Sequence, residues 1–323
     1  IMKIEELSRY SCPCCHEEIE IVEADEENGN RDIHEAKLIC KNKHEFPLKN
    51  GLPDLIYPRD LSSDEITVQS FYDNRAEDYD KNLHLTFKTH GEDENEVRNS
   101  FIDALELKES SSVLEVACGT GRDSELILKR LGSKGFLGLQ DLSPRMLQRC
   151  RARLGQDQSN ISFSLSNALY LPYPDNSFDA IYSFGGLGEF PDIRGSLKEM
   201  ARVCRTGGKV VVGDESMPPW LRETEFAKIL ITTNKQFLAE VPLKDIPVEA
   251  RELRLRWVIG QVFYLLDFRV GEGEPTGNFD FEIPGVRGGT LRTRYEGQLE
   301  GVTLEAKKLA YKAREKRNIS MHK

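Results

Sequence analysis

The sequence predicts a doubly wound, mostly parallel α/β domain that carries a small N-terminal metal module. Three observations point there. Strand and helix patterns alternate between residues 96 and 213, a glycine turn follows the first of those strands, and four of the seven cysteines fall within the first forty residues.

The elements follow in order. Two cysteine-bearing segments flank an acidic Asn/Gly stretch, 23–31, that reads as the tip of a long hairpin, and the module it belongs to ends near Pro58. The chain therefore divides into a first domain over 1–60 and a second over 61–323. In the second, the polar entry Ser62-Ser-Asp-Glu65 precedes Ile66, Val68, Phe71 and Tyr72, a short capped helix opening a lid over 61–95, of which 84–95 reads as loop. Val97, Phe101, Ile102 and Leu105 recur at helical spacing, and the apolar run 113–116 is a strand. Helices over 124–131, 144–154 and 193–203 then alternate with strands over 135–139, 161–165, 180–184 and 209–213. After Asp214 the rhythm changes. A long helix over 220–240 is expected, then an apolar stretch 253–270 of unsettled period, then antiparallel strands that finish the sheet, one of them over 290–298. Residues 306–323 are rich in Lys and Arg and suit a basic helix or tail.

Composition narrows the function. A chain that is 39% hydrophobic and 30% charged is an ordinary globular sequence, which excludes wholesale disorder and fibres. Its 44 basic against 54 acidic residues give −10, which disfavours an avid nucleic-acid binder. The most apolar stretch, 257–266, contains Gln261 and is too short to span a bilayer, and no signal-peptide pattern opens the sequence. A cytoplasmic protein is expected.

Cys12-Pro-Cys-Cys15 and Cys40-Lys-Asn-Lys-His44 form a C-x2-C and a C-x3-H knuckle. Two thiolates on one tight turn, with a thiolate and an imidazole on another, make the Cys3His tetrahedron of a structural zinc site. Cys12, Cys15, Cys40 and His44 are the expected ligands, with Cys14 a spare thiol or a competitor of Cys15. The closed site would stabilise a module too small to build much core.

In Val113-Leu-Glu-Val-Ala-Cys-Gly-Thr-Gly121 a strand runs into a helix through a turn whose glycines let a ligand approach the backbone closely. Twenty residues beyond Gly121 the next strand ends at Asp141, where a carboxylate can accept both hydroxyls of a ribose. A third loop carries Ser166-Asn167-Ala168. All three loops belong at one end of the sheet, where open α/β folds bind ligands. The dinucleotide fingerprint G-x-G-x-x-G is absent, since Gly121 is followed by Arg122, Asp123 and Ser124.

Taken with Phe71-Tyr-Asp-Asn-Arg-Ala-Glu-Asp-Tyr-Asp80, Asp141-Leu-Ser-Pro144, Leu171-Pro-Tyr-Pro-Asp-Asn-Ser-Phe-Asp179 and Leu197-Lys-Glu-Met-Ala-Arg-Val-Cys-Arg-Thr-Gly-Gly208, these segments make the chain resemble the class I S-adenosylmethionine-dependent methyltransferases of the ubiquinone and menaquinone biosynthesis type. The resemblance covers 71–213 and implies a Rossmann-like, seven-stranded sheet. It implies that Glu115, Ala117, Gly119, Thr120 and Gly121 shape the methionine side of the cofactor pocket, that Asp141 holds the ribose, and that Leu142 flanks the adenine. Asn167 and Ala168 would meet the adenine edge, Tyr72 and Tyr79 would close the lid, and Ser183 would complete the set. Ala117 stands where a glycine is usual, and Asn167 where an acidic residue is common. The first fifty residues resemble the zinc ribbon of bacterial ribosomal-RNA guanine-N1 methyltransferases.

The chemistry implied is in-line attack on a sulfonium methyl, to which the protein contributes alignment and desolvation. If the acceptor must lose a proton, Glu189, His84 and His90 are the candidate bases, though each also reads as an ordinary surface residue. Arg287, Arg292 and Arg294 suit an anionic substrate or a solvated strand equally. A small-molecule acceptor is the leading expectation, with 214–301 as its substrate-side elaboration. The alternative is an RNA or protein methyltransferase whose ribbon does the recognising; against it, the ribbon offers few aromatics to stack bases, chiefly Tyr10 and Phe46. A non-catalytic relative that keeps only the fold is the third class.

Overall fold

Short strands with apolar residues on one face build the N-terminal module of the computed structural model, which describes residues 2–24, 32–155, 160–284 and 289–299. The strands are β1 (Met2–Lys3), β2 (Ile19–Ala24), β3 (Asp32–Ile33), β4 (Ala36–Cys40), β5 (Glu45–Lys49) and β6 (Leu52–Pro53). Antiparallel pairing in the order β2-β4-β5-β6 makes a four-stranded ribbon, and β1 pairs with β3. Leu38, Phe46, Leu48 and Leu55 point inward and are buried. The expected hairpin is β2 with β4; most of its tip lies outside the described residues.

The second domain opens with α1 (Ser63–Arg75), α2 (His84–Thr89) and α3 (Glu94–Asp103). Ser62 caps α1 in a reciprocal capping box with Glu65. The alternating core follows: β7 (Ser112–Val116), α4 (Arg122–Leu128), β8 (Phe136–Asp141), α5 (Pro144–Leu154), β9 (Ile161–Leu165), β10 (Phe178–Phe184), α6 (Ile193–Val203) and β11 (Cys204–Glu215). After α7 (Glu225–Ile231) come β12 (Ala250–Val258) and β13 (Phe263–Val270), and α8 (Leu291–Leu299) is the last described element. The seven-stranded sheet runs β12-β13-β11-β10-β7-β8-β9; β13 is antiparallel to both its neighbours, β12 and β11, and the five strands from β11 to β9 pair in parallel. Strand order reverses beside β7, so the loops after β7, β8 and β10 gather at the crevice where such sheets bind ligands. Because strands at the centre are covered on both faces, β8 is buried along its whole length.

The ribbon docks on the free edge of this sheet. The Leu55 N–H donates to the Leu165 carbonyl of β9 at 2.8 Å, the Tyr10 hydroxyl donates to the Phe163 carbonyl at 3.0 Å, and the Tyr10 and Tyr173 rings meet at 5.5 Å. An edge strand that would otherwise offer unpaired backbone groups is thereby covered. Residues 1–274 form one compact unit, and 275–323 a second, in which Arg292 is ion-paired with Asp280 at 2.7 Å. No helix among the described residues is long and apolar enough to cross a membrane.

Four sequence expectations are revised. The stretch 84–95 contains a helix, α2, whose six residues bury only Phe87 and so show no period. The expected long helix over 220–240 is α7 between short 3-10 turns, because Pro218 and Pro219 precede it and Asn234 caps a new turn beyond it. The unsettled stretch 253–270 is spanned by the hairpin β12–β13, which completes the sheet as two antiparallel strands. The expected strand over 290–298 is instead the helix α8; Thr290 and Thr293 hydrogen-bond to each other at its start, and local capping overrides the β propensity of Thr and Tyr.

Candidate active site

The turn after β7 is tied down by the end of β8. The Ala117 N–H donates to the Gln140 side-chain oxygen at 3.0 Å, and the Gly119 N–H to the Asp141 carboxylate at 2.8 Å. The other carboxylate oxygen of Asp141 accepts from the Ser143 N–H at 2.8 Å. The Gln140 amide donates to the Ser166 carbonyl, so one strand end fixes three loops. Ser143 caps α5, with Pro144 in its first turn, and this holds the Asp141 loop against a helix that buries Met146, Leu147, Cys150 and Leu154.

Two glycines of the turn serve different ends. Gly119 has φ +53°, and a Cβ there would meet nothing within 4 Å, so its freedom leaves the backbone open to the cavity. Gly121 has φ +80°, and a Cβ there would stand 2.6 Å from the Cys150 sulfur; it is needed for packing α4 against α5. Ala117 adopts φ +56° without being glycine. A left-handed alanine costs roughly 1–2 kcal/mol, and glycine's extra unfolded-state entropy offsets about 0.4–1 kcal/mol of that. Ala117→Gly should therefore stabilise the protein by about 0.5–1 kcal/mol. A denaturant midpoint equal to or below that of the parent would contradict this.

Above the turn lies a cavity of about 230 Å³. Glu115, Ala117, Gly119, Thr120, Asp141, Leu142, Asn167, Ala168, Tyr72 and Tyr79 all line it, as does Glu189. Gly121 and Ser183 lie outside its lining; Ser183 is fully buried within β10. His84 is exposed on α2, and His90 packs on Gly260 and on the Phe226 ring, so neither histidine lines the cavity. Arg292 and Arg294 lie on α8 in the second unit, and Arg287 is outside the described residues.

The lid is pinned to the loops it covers. Gln69 donates to the Leu142 carbonyl at 2.8 Å, the Ser143 hydroxyl donates to Asp73, and the Thr120 hydroxyl donates to Asp80 at 2.7 Å. The Tyr72 and Tyr79 rings meet at 6.0 Å.

Several lining residues escaped the sequence reading because they come from distant segments. Glu65 of α1 accepts from the Asn167 side-chain amide. Burial pushes the Glu65 carboxyl up, but the Ser62 hydroxyl and N–H and the Asn167 amide outweigh it and hold the group below its ordinary range. A carboxylate of the lid thus stands beside Asn167. Arg98 of α3 pairs with Glu94 and with Asp123, both at 2.8 Å, and brings a cation to the Glu115 side. Glu115 itself is pushed well up by burial and by Asp123 nearby, with the Ser124 hydroxyl as its hydrogen-bond donor. The opposite wall is apolar, formed by Phe184, Phe190, Pro191, Ile259 and Phe263, with Glu215 among them.

In the ribbon, Cys12, Cys15, Cys40 and His44 converge, their ligand atoms all within 4.8 Å of one another. His44 Nδ1 lies 3.5, 3.5 and 3.3 Å from the sulfurs of Cys12, Cys15 and Cys40, and the Cys15 and Cys40 sulfurs are 3.7 Å apart. Cys14 stands outside the quartet, its thiol turned to the Tyr57 hydroxyl.

A parallel sheet closed by the antiparallel strand β13, with a glycine turn, a second-strand aspartate and a lid over one cavity, is the architecture of the class I S-adenosylmethionine-dependent methyltransferases. The ubiE/COQ5 methyltransferase family model matches residues 60–227, just over half of the sequence, and the chain belongs to that family. It is 31% identical over 156 residues to the demethylmenaquinone methyltransferase of Listeria welshimeri, covering 48% of this chain and 64% of that protein. With the enzyme of the same name from Bacillus licheniformis it shares 31% over 159 residues, covering 49% and 66%. The chain thus matches just under two thirds of the length of these relatives. Among solved structures, the phosphoethanolamine N-methyltransferase 2 of Haemonchus contortus in complex with S-adenosylmethionine aligns with a TM-score of 0.49 at 12% identity, over 70% of this chain and 63% of that one.

Proposed function

We propose that this chain methylates a small, uncharged hydroxy-aromatic acceptor of hydroquinone type, and that its ribbon holds a structural zinc ion. The observation that carries the reading is the two-sided cavity: polar cofactor loops on one side and an aromatic, apolar wall on the other, under a pinned lid. The aromatic, apolar wall suits a small ring. The relatives named demethylmenaquinone methyltransferase support a quinol-like acceptor.

When bound, the cofactor supplies an electrophilic sulfonium methyl. Asp141 would accept the ribose hydroxyls, Glu65 and Asn167 would meet the adenine edge, and Glu115 with Arg98 would face the amino and carboxylate ends of the methionine portion. Tyr72, Tyr79 and the phenylalanines would exclude water and align the ring for in-line attack.

The cations lining this cavity, Arg98 and Arg122, are both engaged by Glu94 and by further carboxylates, Asp123 and Asp80 respectively. Among the described residues the cations of the cavity are thus already paired with carboxylates, which disfavours an anionic acceptor. Reduced 2-prenyl-1,4-naphthoquinone, tested anaerobically, should accept methyl with kcat/KM at least about tenfold above that of its 2-carboxylated analogue. Equal rates, or no transfer to the neutral quinol by protein that binds cofactor, would reject the acceptor class.

For the ribbon, a tetrahedral ion with Zn–S near 2.3 Å and Zn–N near 2.0–2.1 Å requires sulfur–sulfur edges of about 3.8 Å and sulfur–nitrogen edges of about 3.5 Å. The observed spacings of 3.7 and 3.3–3.5 Å fit that polyhedron. The alternative, an RNA or protein substrate read by the ribbon, loses support from Tyr10 and Phe46. Both are buried, 3% and 2% exposed, and offer no stacking face.

A further inference from the structure

Glu215 is the last residue of β11 and lines the apolar side of the cavity, opposite Phe263 in the neighbouring strand. Its surroundings are acidic and phenolic. Asp214 adjoins it on its own strand, and Glu189 faces it from the turn after β10. Tyr72 of α1 and Tyr79 of the lid line the same cavity, Tyr264 of β13 also feels its charge, and the Asn234 amide stands 3.3 Å from its carboxyl. Asp214 has a structural task, since it accepts from the Gly188 and Glu215 N–H groups and holds the turn that carries Glu189. The Glu215 carboxyl bonds to the Asn234 amide and to Asp214, and burying an ionisable group among acids costs the fold stability. That carboxyl nevertheless lines the wall where the acceptor ring would lie.

We infer that Glu215 is the proton acceptor for the hydroxyl of the methyl-accepting ring. This rests on the hydroxy-aromatic reading above. In the step, the O–H proton passes to the Glu215 carboxylate and the acceptor's electron pair forms a bond to the methyl carbon. The carbon–sulfur pair returns to sulfur, leaving a neutral thioether. If a ring carbon attacks, tautomerisation returns the ring proton to the oxygen, so the balance is the same: one proton on Glu215, then released to water at the cavity mouth. Glu189, which accepts from the Gln236 amide at 2.7 Å, lines the same cavity. Burial, and then Asp214 and Glu189, push the Glu215 carboxyl up to about 9, close to the ordinary range of a phenol, so proton transfer between them is nearly balanced. The basic form fills as pH rises, so kcat/KM should climb towards about pH 9.

The test uses the zinc-loaded full chain and two readouts. First, 4-methoxy-1-naphthol, a stable hydroquinone mimic, is bound to the complex with S-adenosylhomocysteine and its naphtholate absorbance is followed with pH. The midpoint in Glu215→Gln should lie below the parent's, because the parent's Glu215 carboxylate opposes a second negative charge beside it and the amide does not. Second, with the reduced prenyl-naphthoquinone, Glu215→Gln should lower kcat at least about a hundredfold and flatten the rise towards pH 9, and Glu215→Asp should restore part of both. Unchanged S-adenosylhomocysteine affinity by calorimetry certifies the folded site. Equal naphtholate midpoints, or a Glu215→Gln enzyme with the parent's rate and pH profile, overturn the assignment while leaving the acceptor class standing. A parent protein that binds cofactor yet methylates no hydroquinone overturns the acceptor class, and this inference with it.

Discussion

Replacing Cys40 by Ser should unfold the ribbon and abolish the zinc binding proposed for it. Structural zinc sites contribute on the order of 10–16 kcal/mol of apparent binding free energy, more than the stability of most domains. The ribbon's core, from Met2 through Leu38 and Phe46 to Leu55, belongs to one continuous hydrophobic cluster with Leu171, Tyr173 and Phe178 of the second domain. Loss of the metal should therefore uncover β9 and lower the stability of the whole unit, with aggregation through the exposed edge. Metal analysis should find about one zinc per chain in the parent protein, and its thermal midpoint should fall in the presence of a chelator. Far less than one zinc, or a midpoint that a chelator leaves unmoved, would contradict the site. Cys14→Ser, outside the quartet, should retain the metal.

Asp141→Ala should weaken S-adenosylmethionine binding by at least about 1.4 kcal/mol, or tenfold. The substitution removes the acceptor proposed for the ribose, and it also releases the Gly119 and Ser143 N–H groups that hold two of the three loops. Burial pushes the Asp141 carboxyl up to about 6 in the ligand-free protein, against the Ser143, Gly119 and Leu142 N–H groups, which pull it down. The sign follows. A group raised above its ordinary value contributes stability at low pH that is lost as pH rises through about 6. Ribose hydroxyls donate to the ionised form, so cofactor affinity should rise over the same interval and then level. In Asp141→Asn that rise should disappear. Calorimetry across pH 5 to 8 checks both statements, and affinity unchanged in Asp141→Ala would reject the ribose assignment.

What the sequence made legible was local chemistry at strand ends and knuckles. The glycine turn, Asp141 and the Asn167 loop stand close to their strands, so their convergence followed from the alternation of strand and helix. The metal quartet followed from two short spacings. What stayed hidden came from distant segments. Glu65, Arg98 and Glu215 reach the cavity from α1, α3 and the last residue of β11, and no motif links them to the turn they face. Glu65 meets Asn167 from 102 residues earlier, a contact visible only once the lid is folded down. Short elements misled for a related reason. Six residues in α2 cannot display a period, and the alternation of 290–298 was read as a strand where a Thr290–Thr293 cap starts a helix.

The reaction proposed for this chain is transfer of methyl from S-adenosylmethionine to a small molecule. The most direct test incubates zinc-loaded protein with methyl-labelled S-adenosylmethionine and a native lysate under reducing conditions, then separates solvent-extractable small molecules, RNA and protein. Label in an aromatic small-molecule fraction, lost in Asp141→Ala, is the predicted result. Label in RNA or protein, with none in the small molecules, would contradict the account and make the ribbon a recognition module.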